Sequence, residues 1–118
     1  MKNEESRIQR GCVQWFRLQH RDLAPLLFAV PNGGARDAVT GAILKAEGVV
    51  PGVSDLLLMH PNKDYHGLCI EMKKAKGKQS PAQMAWQIAV EKAGYKYIVC
   101  RSLEQFIGEV DGYLSDRG

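Results

Sequence analysis

The stretch from residue 51 to residue 78, PGVSDLLLMHPNKDYHGLCIEMKKAKGK, constrains this chain more than any other. Two apolar runs flank a polar turn at residues 61–66, the pattern of an antiparallel hairpin. Pairing through that turn sets Asp55 opposite Glu71, and period-two alternation brings Lys73 onto the same face. Leu56, Leu58, Leu68, Ile70 and Met72 take the other face, while Leu57, Met59 and Cys69 accompany the acids. Both faces therefore read as buried, where opposed carboxylates repel and are costly to desolvate. A Glu71–Lys73 ion pair explains two of the three residues and leaves Asp55 without a partner. A divalent cation between the acids explains the pair.

The remaining composition sets bounds. A chain of 118 residues builds one core, so residues 1–118 are read as a single domain. No apolar run reaches membrane-spanning length, and MKNEESRIQR lacks the apolar segment of a signal peptide, so no membrane partner is expected. Cys12, Cys69 and Cys100 are odd in number and lie in apolar segments, which suits core thiols of a cytoplasmic protein. Net charge is +3, and Lys73, Lys74, Lys76 and Lys78 concentrate positive charge just beyond the hairpin. Such a run is commonly just solvated; here it also suits a polyanion.

Elements can be placed around the hairpin. Residues 4–19 show helical periodicity, with Ile8, Cys12, Trp15 and Phe16 on one stripe. Glu5 falls on that stripe too, either as a first-turn acid favoured by the helix dipole or as an acid aimed at a metal. LLFAV at residues 26–30 reads as a strand ended by a Pro-Asn-Gly-Gly turn, and residues 36–47 as a helix stopped by Gly48. Ser80 and Pro81 open another helix, where Gln83 fits a capping box with Ser80. Residues 95–100 (YKYIVC) form a last strand, and Ser102 with Gln105 a second capping box before the final helix. The order predicts an α/β domain with a small mixed sheet flanked by helices.

Aspartate at a strand start followed by Glu-x-Lys on the next strand resembles the PD-(D/E)xK nuclease superfamily. With Glu5 and Gln9, NGGAR, GAILKAEGVVPGVSDLLL, GLCIEMKKAKGKQSPAQMAW and GYKYIVC, the chain resembles the VRR-NUC (virus-type replication-repair nuclease) family in its stand-alone form, from Glu5 to about Cys100. Ser54 stands where that family usually has proline, a position that shapes the strand start and is not a ligand. The resemblance implies a restriction-endonuclease-like core in a bacterial or phage-infected cell. It also implies Asp55, Glu71, Lys73 and Gln83 as catalytic residues. Glu5, Asp55, Glu71 and the Met72 carbonyl would be its metal ligands. Hard oxygens suit Mg²⁺ or Mn²⁺, and Lys73 would orient water or bind phosphate. Arg36, Lys74, Lys76 and Lys78 are the candidate contacts to the DNA backbone.

The expected activity is hydrolysis of phosphodiester bonds in DNA, structure-selective for branched forms such as four-way junctions. The alternatives are a less selective DNA nuclease, or a DNA-binding subunit with a lapsed site. Two nicks on a four-way junction call for two sites, so a homodimer is expected, through the first helix or through residues 32–48. Zinc hydrolysis fits poorly, because His20, His60 and His66 lack ligand spacing, and the cysteines sit on apolar stripes unsuited to nucleophiles.

Overall fold

The computed structural model describes residues 2–31 and 38–115. In chain order these form α1 (Lys2–Gln19), a 3₁₀ helix (Arg21–Leu26), β1 (Leu27–Ala29), α2 (Ala38–Ala46), β2 (Leu56–Leu58), β3 (Leu68–Met72), α3 (Pro81–Lys92), β4 (Lys96–Cys100) and α4 (Leu103–Ser115). The strands lie in the order β1-β2-β3-β4, antiparallel except for the parallel β3–β4 pair. A parallel pair needs a crossover, and α3 supplies it. The result is a mixed four-stranded sheet flanked by helices, an α/β architecture compatible with the expected restriction-endonuclease-like core.

The hairpin register is the expected one. Leu56 pairs with Ile70, Leu57 with Cys69 and Leu58 with Leu68, so Asp55 comes next, opposite Glu71. Side-chain alternation then builds two cores. On one face Leu56, Leu58, Leu68, Ile70 and Met72 pack with Cys12 and Phe16 of α1 and Phe106 and Val110 of α4. On the other face Cys69 and Tyr97 pack against Val90 of α3, with Leu57, Trp86 and Val99 around them. Phe16 and Phe106 are fully buried, each contributing about 1.5–3 kcal/mol on transfer from water. All three cysteines are buried free thiols.

The structure departs from expectation in four places. The first strand is shorter than residues 26–30: Leu26 belongs to a 3₁₀ helix containing Pro25, whose missing N–H suits a short tight turn. The helix foreseen over residues 36–47 is described from Ala38 to Ala46 and stops at Gly48, but its apolar face is uncovered. Val39 is 71% exposed and Ile43 51%, because periodicity sets a face and not what covers it. Met59 is likewise 52% exposed, since the packing of α3 centres on β3 and β4 and leaves the far end of β2 open. Finally, the second capping box is half formed. The Gln105 amide donates to Ser102 Oγ at 3.1 Å, but its side chain turns back to the Arg101 amide at 2.8 Å.

No helix among the described residues is long and apolar enough to cross a membrane.

Candidate active site

Strand geometry delivers Asp55 and Glu71 to the same point on the sheet from two directions. Asp55 precedes β2, with its carbonyl accepting the Val30 amide at 2.9 Å. Its Oδ2 accepts the Met72 amide at 2.7 Å, which holds the carboxylate across the end of β3. Glu71 lies inside β3 and is 2% exposed. Its carboxyl lies close to that of Asp55, and the two acids disfavour each other's ionisation. Burial first, and then the neighbouring Asp55, push Glu71 up to about 8, against a partial offset from Lys73. Asp55 and Lys73 thus both lie close enough to Glu71 to act on its charge.

Three further residues fix Glu71. The Gln83 amide nitrogen donates to Glu71 Oε2 at 2.9 Å, and the Tyr97 hydroxyl donates to Oε1 at 3.3 Å. Tyr97 in turn accepts from Gln79 at 3.1 Å. Gln83 serves two functions at once, since its Oε1 also accepts the Ser80 amide at 2.8 Å and completes the capping box of α3. Structural and site readings of Gln83 are thus not alternatives. Tyr97 and Gln79 went unnoticed in the sequence; a hydroxyl on the inward face of an otherwise apolar strand was the available signal for Tyr97.

Ser54 also has a definite part. It is fully buried, and its Oγ accepts the Trp86 indole N–H at 2.7 Å, tying the start of β2 to the middle of α3. Two residues earlier, Gly52 has φ +85°, and a Cβ there would lie 2.5 Å from the Ala82 carbonyl carbon and oxygen. Gly52→Ala is therefore expected to cost about 2–4 kcal/mol, adding left-handed backbone strain to overpacking against α3. Urea unfolding measures this, and a loss below about 0.5 kcal/mol would mean that the turn does not seat the helix.

Glu5 is half-buried and turned toward the loop after β3, where its Oε2 accepts the Lys74 amide at 3.3 Å. It is not gathered with Asp55 and Glu71. Among the described residues no three His, Cys, Asp or Glu side chains lie close enough together to hold a metal ion. The donor chemistry at the centre still fits a hard divalent cation: two opposed carboxylates, one of them raised by burial and by its neighbour, a cost that a cation between them would offset. Lys74 is half-buried in this loop, and Lys76 and Lys78 are exposed. Arg36 lies outside the described residues. Beside Gln83, an open cleft of about 470 Å³ runs between α2 and the first turn of α3, with Lys45 on its wall.

The sequence profile of the VRR-NUC domain family matches residues 3–104, a span that includes Glu5, Asp55, Glu71, Lys73 and Gln83. A solved structure described as a VRR_NUC domain protein is similar to this one with a TM-score of 0.84 and 26% sequence identity, over 95% of this chain and 88% of that one. Among curated proteins none matches the chain.

Proposed function

Because the chain belongs to the VRR-NUC nuclease family, we propose that it is a metal-dependent DNA endonuclease, structure-selective for branched DNA such as four-way junctions. The observation that carries this reading is the buried Glu71 against the half-buried Asp55, with Lys73 beside them, which is hard to justify as packing alone. Asp55, Glu71 and the Met72 carbonyl would hold Mg²⁺ or Mn²⁺, with water completing the shell. The bound metal would supply an acidified water and charge stabilisation at the phosphate. Gln83 and Tyr97 hold both oxygens of Glu71, so its rotamer is set before substrate arrives. Lys73 places a cation where an incoming water or phosphate oxygen would sit. Glu5 would act through water, since its carboxylate is engaged at the Lys74 amide. Arg36, Lys74, Lys76 and Lys78 would contact the DNA backbone and position it without reading sequence.

The test is cleavage of linear duplex, flap and four-way substrates in Mg²⁺ and in Mn²⁺. Preference for the four-way substrate supports the full reading, and equal cleavage of all three leaves a general DNA nuclease. No cleavage of any, alongside tight DNA binding, would favour the lapsed-site alternative.

A homodimer follows from the need for two nicks. Of the two candidate faces, the apolar stripe of α1 already packs on the core, with Cys12 and Phe16 fully buried. The α2 face, with Val39 and Ile43 exposed, is the better supported interface. Light scattering at micromolar concentration is expected to give twice the chain mass for the wild type and a shift toward the monomer for Val39→Glu/Ile43→Glu. A wild-type monomer that stays monomeric on a four-way junction would rule this assembly out.

A further inference from the structure

The loop after β3 carries three lysines in five residues, and it is tied down by a fourth cation. One terminal guanidinium nitrogen of Arg101, just past β4, donates to the carbonyls of Lys74 at 2.8 Å, Gly77 at 2.8 Å and Ala75 at 3.3 Å. Arg101 is itself held in place from both sides. Its amide donates to Gln105 Oε1, and Gln105 Nε2 donates to the Val99 carbonyl at 3.0 Å. From the other side, Glu5 holds the Lys74 amide, and the Lys73 amide donates to the Cys100 carbonyl at 3.0 Å.

The charge is the informative part. A neutral side chain can satisfy a backbone carbonyl, as Gln105 does at Val99 of β4. Arginine instead adds a permanent positive charge beside Lys74, Lys76 and Lys78. It is exposed and has no ion-pair partner among the described residues. The other terminal nitrogen and Nε make no hydrogen bond among those residues either, and they remain available in the fork geometry that matches a phosphate. Lys74, Lys76, Lys78 and Arg101 put four cations on one short loop, where the carboxylate at hand, Glu5, is engaged at the Lys74 amide, so an anion from outside would relieve their repulsion.

We propose that Arg101 is a positioning residue of the DNA interface: one guanidinium nitrogen shapes the lysine loop while the rest of the group faces a backbone phosphate. This rests on the nuclease reading for the identity of the polyanion, but the loop-shaping half stands independently of it.

Two measurements on the intact chain test it, with Arg101→Ala, Arg101→Lys and Lys78→Ala. In DNA-free protein, Arg101→Ala is expected to speed amide hydrogen exchange across residues 74–78 by about tenfold or more, with α3 and β4 unchanged. Arg101→Lys is expected to loosen the loop less, because its ammonium also carries three donors but sits on a flexible stem without the planar fork that fixes the guanidinium. In DNA binding, Lys78→Ala should lower the slope of log affinity against log salt by about 0.9, one phosphate contact. Arg101→Ala should lower it further, because it removes its own contact and unsettles those of the lysines. Arg101→Lys should recover part of the slope. Wild-type exchange rates in Arg101→Ala would overturn the positioning role. A loosened loop with unchanged affinity and salt slope would overturn the DNA role and leave a structural staple. Wild-type protein showing no salt-dependent DNA binding would overturn the nuclease reading and the DNA role together, while the exchange result would still decide the first half.

Discussion

Asp55→Asn, Glu71→Gln and Lys73→Ala are each expected to lower DNA cleavage about a thousandfold or more, with DNA affinity staying within a few-fold of wild type. The expectation comes from how little each change disturbs besides charge. Asn at position 55 keeps an oxygen for the Met72 amide, which Asp55 now binds at 2.7 Å. Gln at position 71 keeps the length and shape of a side chain that is 2% exposed. Lys73 is partly exposed, so its truncation leaves no large cavity. Cleavage rates at saturating enzyme, with affinities measured in Ca²⁺, separate chemistry from binding. Near wild-type cleavage by Asp55→Asn in Mg²⁺ would show that the acid pair is not the catalytic centre.

The second large effect appears without DNA or metal. The Glu71 carboxyl is pushed from its ordinary 4.5 to about 8, mainly by burial and then by Asp55. Below 4.5 the group is protonated in both folded and unfolded chains, so it imposes no cost. Between 4.5 and 8 the unfolded chain releases the proton while the folded chain retains it, so stability falls as pH rises through that window. The fall from this group is on the order of 3 kcal/mol, discounted from the full linkage value because the acids are closely coupled. Glu71→Gln removes the ionisation, and the variant should match wild type near pH 4.5 yet exceed it by that amount at pH 8. Urea unfolding in EDTA at the two pH values provides the comparison. If the stability difference between the two proteins does not change with pH, the buried proton is not there. Adding Mg²⁺ at pH 8 is expected to stabilise wild type and not the variant, because only the former gains a pair of anionic ligands.

What could be read from sequence was what depends on local periodicity. Alternation on either side of one polar turn fixed the register of Leu56 with Ile70, and hence the meeting of Asp55 with Glu71. Ser80, Pro81 and Gln83 announced the start of α3, because capping chemistry spans only three residues. The surroundings of the acids were less legible. Tyr97 reaches Glu71 only through the parallel pairing of β3 with β4, which no short-range pattern specifies. Arg101 meets the loop from the far end of the same strand, so its role is equally hidden. Glu5 is the intermediate case: periodicity turned it inward, and only the fold could show that it meets a backbone amide before it meets the acid pair. The uncovered face of α2 shows the same limit, since amphipathicity does not say whether the covering surface comes from this chain or another.

The buried thiols have a practical consequence. Cys12 and Cys100 belong to the core under α1 and α4, and Cys69 to the separate core under α3. Burial pushes Cys12 up to about 11 and Cys100 up to about 12, and it raises Cys69 as well. Thiolates, the reactive form, are therefore scarce until a layer opens. An alkylating reagent added to the unmodified protein would act as a stopwatch on each side of the sheet. Labelling at Cys69 dates the lifting of the helix that carries Gln83, and labelling at Cys12 or Cys100 dates the parting of the opposite layer. Peptide mass mapping of the three sites would then show whether the side that grips Glu71 breathes on its own or only when the whole domain lets go.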